Sequence, residues 1–257
     1  MKKLMTLFAF ALVAFTANAQ LCPDGNHPHM IDLGLPSGTR WSCCNVGAST
    51  PEGSGGYYAW GETSEKPNYS PETYLYANDG LFYFFLGVDI AGSTYDVAHK
   101  TWGSPWMMPS AAQSDELVNA CTYLWTISNG VVGGKFTGPN GNSVFLPAAG
   151  YHWFDNFIDY GEVGIYWSST RVGYTYATSF QFWAAHPDIY QYYDRSIGRN
   201  IRPVADAVSM VNPVMSDCDA SSHAIYDMHG MKVAGATDLN SLPPGIYIVN
   251  GRKVLVK

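Results

Sequence analysis

The densest group of side chains suited to molecular recognition lies in residues 151–193, which hold eight tyrosines and three tryptophans. Both residue types offer a large contact area at a low cost in conformational entropy, which is why binding surfaces use them. We therefore predict a ligand-binding surface within residues 174–194. Its candidate residues are Tyr174, Tyr176, Trp183, His186, Asp188, Tyr190, Tyr192 and Tyr193.

An alternative is that these rings fill the core of a chain with only 14% charged residues. Tyr190 and Tyr192 share one strand parity, and Tyr193 has the other. Because alternate side chains of a strand point to opposite faces, at most one of these two sets should be exposed.

Cysteine is the second residue type that could do chemistry, with Cys22, Cys43, Cys44, Cys121 and Cys218. Cys43 and Cys44 are adjacent, so on a strand they would point to opposite faces and need different partners. We expect one or two disulfides, with Cys22 and Cys121 as the favoured partners and Cys218 as the candidate free thiol. No Cys-x-x-Cys pair is present, which favours a structural role over redox catalysis.

Enzyme signatures are absent from the sequence. It contains no Gly-x-Ser-x-Gly elbow, His-Glu-x-x-His motif, phosphate loop or dinucleotide fingerprint, so we predict neither a catalytic residue nor a cofactor. His27 and His29, with Asp32 nearby, could begin a metal site. Histidines in a proline-containing loop are more often simply exposed, and no metal is predicted.

The elements that must position these residues are mostly short strands. The clearest helix begins at Ser110, where Ser110 and Gln113 form a capping box. An apolar stripe follows at helical spacing and is expected in the core: Leu117, Ala120, Cys121 and Leu124. Residues 135–146 predict a hairpin across a Gly-Pro-Asn-Gly turn, and residues 96–101 a short helix. Further strands are expected at 164–169, 177–184 and 200–204, and a long loop at 61–87.

The first 19 residues have the pattern of a cleavable signal peptide. Lys2 and Lys3 precede the apolar run 4–15, and Ala17 and Ala19 provide the small residues before the cleavage point. That run is shorter than the roughly 20 residues needed to cross a bilayer, so no membrane-spanning segment is expected in the mature chain. The chain is therefore predicted to be exported across the inner membrane of a Gram-negative cell.

The charge balance limits the classes of partner. The chain has 14 basic and 21 acidic residues, and removal of Lys2 and Lys3 changes the net charge from −7 to −9. Nucleic-acid binding requires a basic stripe, and none is present. Nucleic acid and anionic membrane surfaces are therefore not expected partners.

Several ordered sequence blocks match one family. They are 31–41 (IDLGLPSGTRW), 44–48 (CNVGA), 58–62 (YAWGE), 102–109 (WGSPWMMP), 140–151 (NGNSVFLPAAGY), 166–169 (YWSS) and 201–204 (IRPV). This pattern resembles the FISUMP (major paralogous) domain. The resemblance implies a C-type-lectin-like α+β fold over residues 20–204, loop-rich with antiparallel strands and one or two helices. Met107 stands where the family usually has Arg, and Asp115 and Glu116 come later in the helix than the family's Glu.

The C-terminal residues form a separate predicted module after a polar linker at 205–222. Its blocks 225–230 (IYDMHG), 242–249 (LPPGIYIV) and 253–257 (KVLVK) resemble the sorting domain of the type IX (Por) secretion system. Residues 223–257 are thus expected to form a small all-β module that engages the type IX machinery. Surface or extracellular delivery would follow, and periplasmic residence if the module does not sort.

The favoured interpretation is a non-enzymatic binding module for a glycan, peptide or protein. A structural or adhesive component of the envelope or of a fibre is the first alternative. A degenerate oxidase of the formylglycine-generating type, a class related to the same fold, is the second. Calcium-dependent sugar binding is disfavoured because the Glu-Pro-Asn, Gln-Pro-Asp and Trp-Asn-Asp motifs of such lectins are missing.

Overall fold

A computed structural model describes residues 30–78, 82–205, 225–226, 233, 245–249 and 252–256. The chain divides into two compact units, Met1–Met210 and Val211–Lys257. Several sequence predictions concern residues outside this described part: the signal peptide, most of the linker, the side chain of Tyr190, and Cys22, His27, His29 and Cys218.

In the described residues of the first unit the strands form four small antiparallel sheets. One sheet has the order β1-β2-β12-β3, formed by β1 (Met30–Asp32), β2 (Arg40–Ser42), β3 (Trp106–Met107) and β12 (Val204–Ala205). A second is the meander of β4 (Thr122–Ser128), β5 (Val131–Thr137) and β6 (Ser143–Pro147). The β5–β6 pairing confirms the predicted hairpin at 135–146.

The two remaining sheets of this unit carry most of the exposed rings. Strands β7 (Tyr151–Trp153) and β8 (Asn156–Ile158) form a hairpin. Strands β9 (Gly164–Val172), β10 (Tyr176–Phe182) and β11 (Pro187–Asp194) form a three-stranded antiparallel sheet. The fold class is therefore α+β, mostly antiparallel strands with few helices.

Helices α1 (Val97–Trp102) and α2 (Ala111–Ala120) occur close to the predicted positions, 96–101 and after Ser110. The Ser110–Gln113 capping box is present. The predicted helical stripe ends at Ala120, because the chain leaves the helix at Cys121 and continues as β4; Leu117 and Cys121 are in the core as predicted. Leu124 is consequently on a strand and 59% exposed. The run Thr-Tyr-Leu-Trp-Thr-Ile favours a strand because its residues are mainly β-branched and aromatic.

Aromatic side chains build the core of this unit. The fully buried Trp41 ring meets Phe180 edge-on at 6.1 Å, and Phe136 meets Phe182 at 5.5 Å. A β-carbon at Gly164 would lie 2.1 Å from the Phe182 ring, so only glycine fits opposite Phe182. Such rings bury a large area per residue, which suits a chain with short, irregular elements.

The second unit shows a three-stranded antiparallel sheet in the order β13-β14-β15. Its strands are β13 (Ile225–Tyr226), β14 (Gly245–Val249) and β15 (Arg252–Val256). Strands β14 and β15 pair with Val249 opposite Arg252, and the Asn250-Gly251 pair in the sequence between them lies outside the described residues. Asn-Gly is the strongest sequence signal for such a hairpin.

Candidate functional site

An exposed apolar surface lies where the loop after residue 81 meets the β9–β10 turn. We call it the aromatic patch. Its side chains are 53–67% exposed and comprise Phe82, Phe84, Phe85, Val88 and Tyr174. Large apolar side chains gathered in one exposed region mark interaction sites more often than scattered ones do.

Arg171 on β9 joins the loop to the β9–β10 turn. Its guanidinium carbon lies 4.6 Å from the centre of the Phe85 ring and 5.7 Å from that of Tyr174. Its Nε donates to the carbonyl of Gly87 at 3.0 Å, and its backbone N–H donates to the carbonyl of Val88. The exposed rings of Phe85 and Tyr174 therefore both pack against the Arg171 guanidinium.

Arg195 stabilises the aromatic patch from the buried side of the two segments. Its side chain is fully buried, and its Nη1 donates to the carbonyls of Phe84 and Tyr174 at 3.1 and 3.2 Å. Its guanidinium carbon packs over the ring of Trp60 at 4.6 Å. Burial lowers the pKa of Arg195, and the nearby Tyr74 opposes that shift. Arg195 thus ties the two chain segments of the patch to the core.

The strand register decides which tyrosines of β10 and β11 are exposed. Tyr192 lies opposite Thr178, and its ring is 6.3 Å from that of Tyr176. Tyr193 has the other parity and faces the interior, where the guanidinium carbon of buried Arg199 lies 3.9 Å from its ring centre. Burial lowers the pKa of Arg199 to about 9. Tyr193 is therefore a packing residue and does not belong to the exposed set.

Three of the other predicted residues lie at the far end of the same sheet. Trp183 and His186 pack against each other at 4.5 Å beyond the end of β10, and Asp188 is near the start of β11. Strand β10 separates this end from Tyr176 by about 20 Å, at roughly 3.3 Å per residue. The eight predicted residues do not form one site, because a hairpin places its turn and its open end apart.

The sequence reasoning missed the contribution of residues 82–88. The 61–87 segment is a loop in its described part, with only a short 3-10 turn at Pro71–Thr73. Tyr83 is buried, and its hydroxyl donates to Asp194 Oδ1 at 2.7 Å, which brings the loop to β11. The available signal was the run Phe-Tyr-Phe-Phe in a predicted loop, since loops seldom carry consecutive large apolar residues.

The cysteines partly depart from the expectation. Cys44 is disulfide-bonded, whereas Cys121 is a free, buried thiol and not a disulfide partner. Cys121 is the C-cap of α2, and its side chain lies in the apolar core as predicted. Burial raises the pKa of Cys121 to about 11, so its thiol stays protonated near neutral pH. The Cys43 sulfur lies 3.3 Å from that of Cys44.

A separate groove of about 560 Å³ lies against the outer face of β4–β6. The groove is lined by apolar side chains that include Leu124, Ile127, Val144 and Phe145. Lys135 adds a charged side chain to the lining. The predicted binding residues lie elsewhere.

Within the described residues, no group of three or more His, Cys, Asp or Glu side chains is arranged to hold a metal ion. In the same part of the chain no helix combines the length and the apolar character needed to cross a membrane. Comparisons with family models, with curated proteins and with solved structures find no match to this chain.

Proposed function

We propose that this chain is a non-enzymatic binding module that recognises a protein or peptide through the aromatic patch. The observation that supports the proposal is a set of exposed rings, three phenylalanines of the 82–88 loop and Tyr174 of the β9–β10 turn. Arg171 packs against rings of both segments, and Arg195 donates hydrogen bonds to the backbones of both. Rings fixed before binding lose little entropy when a partner docks.

The phenylalanines favour a polypeptide over a glycan. Phe82, Phe84 and Phe85 have no hydrogen-bonding group, and Val88 adds a purely aliphatic side chain. Protein interfaces concentrate such apolar anchors near their centre with a polar rim. Arg171, Asp89 and Asp194 provide polar groups beside the rings.

The alternatives make different predictions. A structural fibre component would pair the patch between copies, so its rings would become protected as the protein concentration rises. A formylglycine-generating type of oxidase needs a reactive cysteine, and the raised pKa of buried Cys121 favours an inert thiol there. We also propose the C-type-lectin-like fold for residues 20–204, supported by the α+β class and the ordered sequence blocks.

The binding test uses residues 20–204 on a protein array and on a glycan array. A double substitution of Phe85→Ala and Tyr174→Ala should weaken any protein hit by about 100-fold, as expected when the two rings packed against Arg171 are lost. Leu124→Ala removes an equally exposed side chain on another sheet and should leave the affinity unchanged. Hits only on glycans, or equal loss in the Leu124→Ala control, would contradict the proposal.

Delivery to the cell surface is part of the proposal and rests on the sequence blocks of the tail and its β14–β15 hairpin. Deletion of residues 223–257 should retain the protein in the periplasm. The measurement is protease accessibility in intact cells, with a periplasmic marker as the control for outer-membrane integrity. Unchanged surface exposure of the truncated chain would show that the tail is not a sorting signal.

A further inference from the structure

The β7–β8 hairpin forms a second aromatic surface that the proposed function does not use. Four rings within eight residues are 40–56% exposed: Trp153, Phe154, Phe157 and Tyr160. Trp153 and Phe154 lie 5.8 Å apart, and Phe157 and Tyr160 lie 5.3 Å apart, measured between ring centres. The hairpin thus presents two ring pairs to solvent. Trp153 and Phe157 lie on opposite faces of it, because Phe157 pairs with His152 and Trp153 with Asn156.

The rings rest on a rigid base. His152 stacks on Phe157 at 4.9 Å with an interplanar angle of 16°, and Tyr57 meets both rings edge-on. The Tyr57 hydroxyl is fixed by donating to the carbonyl of Ala149 at 2.6 Å. The backbones of Phe154 and Tyr69 exchange hydrogen bonds at 2.8 and 2.9 Å, which anchors the hairpin turn. The exposed rings are therefore already held in place without a partner.

The charge around these rings is negative. Asp155, Asp159 and Glu162 are exposed, and no Lys or Arg occurs between residues 135 and 171. No ion pair to these three carboxylates is found in the described part of the chain.

The segments packed against the hairpin add little positive charge. They bring Glu65 near His152 and also Lys66, whose Nζ is paired with Glu62 at 2.8 Å. Arg199 approaches Tyr151 but is fully buried. Solvent at this surface therefore meets aromatic faces bordered by carboxylates.

We propose that the β7–β8 hairpin binds lysine or arginine side chains of a basic polypeptide segment. Aromatic faces attract cations, and exposed carboxylates raise the local concentration of positive charge. The same charge disfavours an anionic membrane surface. The proposal is independent of the aromatic patch, whose cation sites are already occupied by Arg171 and Arg195.

The test measures binding of a fluorescent synthetic peptide of alternating lysine and serine to the full chain, using anisotropy. The matched peptide carries glutamate in place of lysine. The lysine peptide should bind, and its affinity should fall when salt rises from about 0.1 M to about 1 M, because the Debye length drops from about 10 Å to about 3 Å. Equal binding of both peptides, or binding that ignores salt, would overturn the proposal.

Two sets of substitutions locate the binding site. Phe157→Ala with Tyr160→Ala should weaken the affinity for the lysine peptide by about tenfold, and so should Asp155→Asn with Asp159→Asn. The asparagine pair keeps the shape of the turns, since Asn accepts the left-handed φ of 57° seen at Asp159. It therefore decides the question even if the alanine pair unfolds.

Tyr192→Ala removes a similarly exposed ring on β11, outside the hairpin and the aromatic patch; it is the control and should leave this binding unchanged. A neutral glucose oligosaccharide that binds the hairpin while the lysine peptide does not would reassign the surface to a glycan. Retained affinity in the asparagine pair would show that the carboxylates take no part. Loss of protein-array hits in the patch variant does not bear on this experiment, so the two proposals fail separately.

Discussion

Arg195→Met should lower the free energy of unfolding by about 2–3 kcal/mol and abolish binding at the aromatic patch. The guanidinium donates two hydrogen bonds, to the carbonyls of Phe84 and Tyr174, and bonds to a charged donor contribute about 1.5–3 kcal/mol each. Methionine keeps the apolar contact with Trp60 but leaves both carbonyls without this donor. Relief from burying a charge offsets part of the loss.

The effect on binding should exceed the effect on stability. Phe84 and Tyr174 belong to different chain segments, and Arg195 is bonded to both. Without it, ordering these segments would have to occur when the partner docks, at an entropic cost that lowers affinity. Chemical denaturation and array binding of the same variant measure the two effects.

Arg40→Met is the matched control, because Arg40 is partly exposed and lies 3.8 Å from Asp32. An ion pair of this kind contributes about 0–1 kcal/mol, so its loss should change stability little and binding not at all. Arg195→Lys should rescue folding better than binding, since an ammonium cannot reproduce a planar fork. Full binding by Arg195→Met would show that the patch does not depend on this support.

Asp96→Ala should cause the largest loss of stability, about 3–5 kcal/mol. The carboxylate is fully buried and accepts three backbone N–H groups, from Gly92, His99 and Met108 at 2.8–3.0 Å. Each buried donor left without an acceptor costs about 1–3 kcal/mol. The same residue caps α1 and connects the preceding turn to the residue after β3.

Two further variants separate the cap from general effects of substitution. Asp96→Asn keeps one acceptor oxygen and should lose about half as much stability. Asp115→Ala removes a half-buried carboxylate of α2 that accepts from the Asn119 side chain, and should cost less than about 1 kcal/mol. Comparable unfolding midpoints for Asp96→Ala and Asp115→Ala would refute this account of Asp96.

Local sequence signals were sufficient where a few adjacent residues determine the structure. The capping box at Ser110, the start of α1 after Asp96 and the hairpin at 135–146 all occur as expected. Each depends on hydrogen bonds or turn geometry within a short segment. The end of α2 was missed because the helical spacing of Leu117 and Leu124 competes with the strand preference of the residues between them.

The buried arginines illustrate what local signals leave out. Arg195, Arg199 and Arg202 are fully buried, although arginine is rarely inside a protein. Arg195 and Arg199 lie against aromatic rings, and Arg202 donates to Asn45 Oδ1 and to the carbonyl of Cys43. Those partners are distant in sequence, so composition could not indicate them.

For the candidate site, the sequence alone determined the chemistry and the alternation. It located an unusual density of rings in 151–193, and strand parity separated Tyr192 from Tyr193. Only the tertiary structure decided which set faces solvent, because that depends on Arg199 packing beneath Tyr193. The tertiary structure also shows that residues 82–88 lie beside Tyr174, and that Trp183 and His186 lie at the opposite end of the sheet. Long-range packing makes these choices, and no short window of sequence contains it.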